Sequence, residues 1–298
     1  MLKRLAPLVL ALLLDAMCGE PPARFHPVVW MGRLLEWLEA RAPRHETARL
    51  LYGIAVAVTV PLAWGWLAGR IERLAPWPMH ALALKPAFAG RALLAAGRDV
   101  EIALDRHQVI EARHELRSLV SRPTAGLDPP LVAAAAIESL SENLVDSWLS
   151  PLLAYGLFGL SGAYAYRAAN TADAMWGYRT SRYERLGKAA ARLDDVLNFV
   201  PARLGAVVLC CVAGHRWRAA LQTWRRDGAL TSSPNAGQTM ASAAGELGVR
   251  LEKSQHYVLN TAAPVPGVET IARARYLVAR ALWLSAGLAL LTRLVRRG

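Results

Sequence analysis

An all-α, polytopic membrane protein is the expectation for this chain, on three grounds: long apolar runs, a strongly basic balance, and the way charges fall between the runs. Of its 298 residues 54% are hydrophobic, yet Lys and Arg outnumber Asp and Glu by 35 to 23, giving a net charge of +12. Mean hydropathy is positive, at +0.22. Residues 51–69 and 147–166 carry no charge, 196–214 carry only Arg203, and 281–292 carry none. A helix crosses a bilayer with about 20 mostly apolar residues, so these runs and an N-terminal one predict about four to five transmembrane helices, with amphipathic helices and long polar loops between them.

The N-terminal run follows Lys3-Arg4 and ends at Asp15-Ala-Met-Cys18. Asp15 and Met17 stand where a signal cleavage site wants small or apolar residues, so a retained helix is expected. A turn-rich segment comes next, with Gly19-Glu20-Pro21-Pro22 and then His26-Pro27. Residues 93–120 read as an amphipathic helix, Val100, Leu104, Ile110 and Leu116 inward and Arg98, Asp105, Arg113 and Arg117 outward. His107, Glu111, His114 and Glu115 in that helix have ligand-like spacing, but ordinary Glu/Arg pairing along a charged helix accounts for them. Cys18 and the adjacent Cys210-Cys211 imply no disulfide framework. With no repeat and no Gly/Ser linker, residues 1–298 are expected to form a single integral-membrane domain with no separable soluble part. Lys and Arg collect at the ends of apolar runs, and Trp64, Trp66, Trp77, Trp148, Trp217 and Trp283 sit there too, as an interfacial belt would place them. Nucleic acid is therefore not the expected partner.

The chemistry concentrates in three clusters. In Glu138-Ser-Leu-Ser-Glu142-Asn143-Leu-Val-Asp146 three carboxylates recur at i, i+4 and i+8, one face of an α-helix. Like charges at that spacing repel, and a divalent cation would relieve them; a solvated helix face is the plainer reading, weakened by the apolar flanks. The second cluster holds Asn170 and Asp173, then Arg179 and Arg182, then Lys188 and Asp194-Asp195. Oxygen ligands beside guanidinium groups suit a metal-bound polyphosphate, although a basic loop beside lipid headgroups would look similar. The third is Thr231-Ser-Ser233-Pro-Asn235-Ala-Gly237, ahead of a helix. Its N–H groups would lie exposed at the positive end of a helix dipole, as in an anion site or an ordinary cap. His26 is a candidate base or a structural turn histidine.

Taken together these motifs resemble the adenosylcobinamide-phosphate synthase family of cobalamin biosynthesis, known as CobD or CbiB. The resemblance rests on Glu138-x-x-x-Glu142-Asn143-x-x-Asp146, on Asn170-Thr-x-Asp173-x-Met-x-Gly177-Tyr178 with Arg182-Tyr183, on Asp194-Asp195 with Asn198, and on Ser233-Pro-Asn-Ala-Gly237. Asp15, Gly19-Glu20-Pro21 and His26-Pro27 fit the family's opening. One departure is Arg122-Pro123-Thr124, where the family usually has Arg-Asp-Thr. The resemblance implies ATP-dependent joining of aminopropanol, or its O-phosphate, to the propionate carboxylate of adenosylcobyric acid. It implies ATP and Mg²⁺ as cofactors, with Glu142, Asn143, Asp146 and Asp173 as metal ligands. Glu138, Glu142, Asp146 and His26 would be catalytic, and Asn170, Arg179, Arg182, Lys188, Ser233, Asn235 and Gly237 would bind substrate or nucleotide. Which acid is ligand and which is base stays open.

The resemblance further implies a multi-pass protein of the bacterial inner membrane, its motif-bearing loops in the cytoplasm, in contact with lipid and with other corrinoid-assembly enzymes. A transporter is the alternative, because acids between membrane helices often mark an ion path, though paired repeats are missing. A non-catalytic, AmpE-like sensor of the same family is a further one, disfavoured by the Asn170 and Ser233 motifs.

Overall fold

The computed structural model describes residues 2–295, which form thirteen α-helices and one β-hairpin. In chain order the first helices are α1 (Leu2–Cys18), α2 (Pro27–Glu39), α3 (Glu46–Leu74), α4 (Trp77–Leu84) and α5 (Gly90–Asp105). Then come α6 (Val109–Glu115), α7 (Pro129–Leu144), a π turn (Val145–Leu149), α8 (Ser150–Trp176) and α9 (Lys188–Leu197). The chain ends with α10 (Phe199–Val212), α11 (Trp217–Asp227), α12 (Ala236–Leu247), strands β1 (Leu251–Lys253) and β2 (Tyr257–Leu259), and α13 (Val268–Val295). Two compact units share these elements, each built from separated stretches of sequence.

The first unit comprises Met1–Ala89, Ser150–Asn198 and Gly287–Gly298. Its spine is the packing of α3 on α8, made close by glycine: a Cβ at Gly65 or Gly69 would run into Ser161. Helix α8 is broken at Gly159, whose φ of 71° and ψ of −157° lie outside the helical region. The Glu72 carboxylate fills the space where a Cβ would sit and accepts the Leu160 N–H at 2.9 Å, so only glycine fits the kink. Helix α2 begins with Pro27 at its first position and with the His26 ring as cap, accepting the Val28 N–H at 3.2 Å.

The second unit comprises Gly90–Leu149 and Phe199–Ala286, with α7 at its centre. Residues 132–141 of α7 are buried without interruption, under α5, α12 and β1. Asp128 starts the helix by accepting the Leu131 N–H at 2.9 Å, followed by Pro129. The hairpin is antiparallel, in the register Leu251↔Leu259 and Lys253↔Tyr257. Helix α12 ends at Gly248, whose φ of 69° is a left-handed cap.

Among the described residues two helices, α3 and α13, are long and apolar enough to cross a membrane, or three if α9 and α10 form one bent span. The expectation of four to five spans thus meets a smaller set. The uncharged run 147–166 enters α8, whose residues are mostly buried inside the protein and whose path is bent at Gly159. Helix α1 has 17 residues with Pro7 inside it. Trp66 and Trp283 are exposed as a belt requires, but Trp148 is buried and donates to the Leu282 carbonyl at 3.0 Å. The single helix expected over 93–120 divides instead, because His107 takes a φ of 57° between α5 and α6.

Candidate functional site

In the second unit the acid row begins as expected and then departs from it. Glu138 and Glu142 lie one turn apart on α7, whereas Asp146 falls in the π turn, whose wider winding breaks the i, i+4, i+8 alignment. Glu138 is only 5% exposed and pairs with the Arg122 guanidinium at 2.9 Å. Burial outweighs Arg122 and the nearby Tyr257 hydroxyl and pushes the Glu138 carboxyl up to about 7, with Glu142 adding to the rise. Arg122 comes from the loop where the family motif departs. That loop is fixed by Thr124 donating to the Arg113 carbonyl at 2.8 Å and by Arg113 donating to the Leu127 carbonyl at 2.7 Å. Sequence reading assigned this loop no role. Its only signal was an arginine beside proline, 16 residues from its partner.

Glu142 and Asp146 are half-buried. Asn143, expected as a metal ligand, already uses its amide locally: Nδ2 donates to the Ser139 carbonyl at 3.0 Å, and Oδ1 accepts from Ser147 at 2.9 Å. One acceptor position is left on that oxygen.

The Ser233 cluster starts α12, but its N–H groups are not open. Asn235 N–H donates to Ser233 Oγ at 3.2 Å, and Gly237 N–H donates to Thr231 Oγ1 at 3.1 Å. Of the two readings the sequence allowed, an anion site or an ordinary cap, the structure has a self-capped turn. Gly237 is required for packing, since a Cβ would strike the Gly228 carbonyl. Gln238 ties the turn down, donating to Gly228 and Pro234 carbonyls at 3.0 Å each.

In the first unit Asn170 joins a buried polar network whose hub is Asp194. Asp194 accepts from Asn170 at 3.1 Å and from Asn198 at 3.0 Å, and Asn198 Oδ1 accepts from Ser150 at 2.6 Å and Tyr166 at 2.9 Å. Asn170 Oδ1 accepts in turn from Arg167 at 3.3 Å. Asp173 is half-buried one turn later on α8, tucked against Gly177, where a Cβ would collide with its carboxylate. Arg179 lies in the irregular segment after α8 and Arg182 in the turn that follows, neither on a helix. Arg179 and Lys188 are exposed, while Arg182 donates to Glu39 at 2.7 Å. The sequence showed the pair Asp194-Asp195 but not which member turns inward.

His26 sits in a different network of the same unit. Its Nδ1 accepts the α2 cap bond and its Nε2 meets Glu20 at 3.1 Å, so both nitrogens are engaged. Glu20 and the buried Asp15 flank the buried Lys85 at 2.7 and 3.0 Å. The His26 and Lys85 contacts hold the Glu20 carboxyl below its usual range despite burial. Glu111, His114 and Glu115 bring potential ligand atoms within 4.8 Å of one another, but on an open surface where acidic groups commonly gather without an ion. Breaking the helix at His107 removes that residue from the face of Glu111.

A family profile described as CobD/Cbib protein matches residues 8–284. The probable cobalamin biosynthesis protein CobD of Methanothermobacter thermautotrophicus is 40% identical over 257 residues, 85% of each chain. The cobalamin biosynthesis protein CobD of Stutzerimonas stutzeri is 43% identical over 245 residues, 81% of this chain and 80% of its own. The probable CobD of Methanothrix thermoacetophila is 34% identical over 307 residues, 97% of both chains. No solved structure matches.

Proposed function

The chain belongs to the CobD/Cbib family, and from that premise we propose that it is a membrane enzyme of cobalamin biosynthesis, an adenosylcobinamide-phosphate synthase that spends ATP to join aminopropanol, or its phosphate, to the propionate carboxylate of adenosylcobyric acid. A carboxylate and an ammonium do not condense unaided in water. In the proposed route the carboxylate attacks the γ-phosphorus and ADP leaves; the amine then attacks the acyl carbon and inorganic phosphate departs with one former carboxylate oxygen. The ammonium must first lose a proton, and an acceptor works best when its pKa lies near the working pH.

The observation that carries this reading is the acid cluster of the second unit. Glu138, buried behind Arg122 and titrating at about 7, is matched to the proton transfer. Glu142 and Asp146, half-buried carboxylates on the same stretch of chain, are proposed as the hard-oxygen ligands that would hold Mg²⁺. When bound, the ion would offset the negative charge of the triphosphate. Asn143 has one acceptor position left to add to that set. Within the first unit, Asp173 is proposed as a hard-oxygen ligand, and Arg179 and Lys188 as cations for phosphate. Arg182, held by Glu39, would need to exchange partners to join them. Asn170 is assigned to holding Asp194, and Ser233, Asn235 and Gly237 to shaping the α12 entry, since their polar groups are already used. His26 is assigned to holding Glu20 and the start of α2.

A cell-membrane location, with the motif-bearing loops on the cytoplasmic side where ATP is found, completes the proposal; α3 and α13 support the membrane part. The proposed partners are the corrinoid acid, the amine, lipid and the enzymes that pass the corrinoid on. The test replaces Glu142 or Asp146 by Ala in purified, detergent-solubilised protein supplied with adenosylcobyric acid, aminopropanol phosphate, ATP and Mg²⁺. Amide formation should fall by roughly two orders of magnitude or more, with elution and helical content unchanged. Full activity in both variants would refute the assignment.

A further inference from the structure

The first unit holds a cavity of about 410 Å³ that the proposed reaction does not use, lined by Arg4, Gly69, Glu72, Arg73, Phe158, Ser161 and Arg293. That volume falls in the range of ligand sites. Three guanidinium groups face it against one carboxylate, and that carboxylate is committed: Glu72 Oε1 accepts from Arg293 at 3.0 Å and Oε2 from the Leu160 N–H at 2.9 Å. Arg4 and Arg73 make no ion pair among the described residues, so the cavity keeps a surplus of positive charge.

The polar donors converge for local reasons. Arg73 is in the last turn of α3, Arg293 in that of α13, and Arg4 in the first turns of α1. Ser161 stands just past the Gly159 break, and Gly69 opposite it carries no side chain to cover the hydroxyl. Planar guanidinium forks match carboxylate and phosphate oxygens two at a time, and a phosphate has further oxygens for a second fork, which a carboxylate or chloride lacks. Apolar side chains are exposed on the same elements: Phe158, which lines the cavity, is 63% exposed, and Trp66 and Leu74 of α3, the helix of Gly69 and Arg73, are 68% and 74% exposed. An anionic head with a greasy body matches both features.

We propose that this cavity binds a phosphate group through Arg4, Arg73, Arg293 and Ser161, the group being either the headgroup of an anionic phospholipid or a free phosphate ester. Full-length protein in neutral detergent is offered two probes. Phosphatidylglycerol, supplied in mixed vesicles with phosphatidylcholine, is read by native mass spectrometry of retained lipid; inorganic phosphate is read by titrated thermal shift. The protein should bind at least one probe, and Arg4→Gln with Arg73→Gln should weaken it about tenfold or more. The exposed Arg98, outside the cavity, serves as Arg98→Gln control and should change nothing. Selective retention of phosphatidylglycerol identifies a lipid headgroup; inorganic phosphate binding with no lipid preference identifies a free phosphate. Each single variant carries the test if the double variant fails to fold. Binding of neither probe, equal binding by the variants, or an equal loss in Arg98→Gln overturns the proposal.

Discussion

Replacing Glu138 by Gln should remove a pH dependence from the stability of this protein. The carboxyl moves from an unfolded value of 4.5 to about 7 in the folded chain because burial disfavours its charged form more than Arg122 favours it. Below 4.5 both states are protonated and stability is at its full value. As pH rises the unfolded chain ionises first, while the folded chain keeps its proton until about 7, so stability falls across that window and is level above it. A shift of about 2.5 units corresponds to about 3 kcal/mol. Glutamine keeps the shape and an oxygen for Arg122, but has no proton to lose. The difference in stability between variant and parent should therefore climb by about 3 kcal/mol between about pH 4 and pH 8, whatever its starting offset. Thermal midpoints in one detergent across that range would read this as a relative shift of roughly 5 °C. Parallel curves for parent and variant would refute the reasoning, because they would mean that Glu138 is not the group taking up the proton.

Other outcomes follow from the buried networks of the first unit. Lys85→Met leaves Asp15 and Glu20 without their shared cation, and removing one member of a buried ionic group costs about 3–5 kcal/mol, so the melting midpoint should drop sharply. A midpoint within experimental error of the parent would show that the carboxylates find other partners. Asp194→Ala strips the acceptor from both Asn170 and Asn198, and two unsatisfied amides at about 1–3 kcal/mol each should destabilise the unit, whereas Asp195→Ala, which loses a 3.9 Å pair with the exposed Arg192, should cost less. Equal effects at the two positions would contradict the inward placement of Asp194.

How far the sequence revealed this molecule depended on distance along the chain. Helical runs, the Asp128 cap and the Pro27 start are local, and they are legible in residue types alone. The acid row was legible as a row, but its geometry was not, because nothing in Leu144-Val145-Asp146 announces a π turn. The break at His107 was hidden for the same reason: a residue with φ of 57° interrupts an unbroken amphipathic pattern. In the Ser233 cluster the residues fit either an anion cradle or a self-capped turn, and Thr231, six residues from Gly237, decided for the turn. Arg122 with Glu138, Asp194 with Asn170 and Lys85 with Glu20 are tertiary pairs. Their partners lie 16, 24 and 65 residues apart, which no spacing rule connects. Family resemblance fared better than periodicity here, because it rests on many separated residues read together.

Activation of the carboxylate by phosphoryl transfer is the central proposed step, and an isotope follows it directly. Adenosylcobyric acid labelled with ¹⁸O in its free propionate carboxylate, incubated with the purified protein, aminopropanol phosphate, ATP and Mg²⁺, should place one ¹⁸O in inorganic phosphate for each amide formed, with ADP in equal amount. Amide formed with no label in phosphate, or label recovered in AMP, would contradict it.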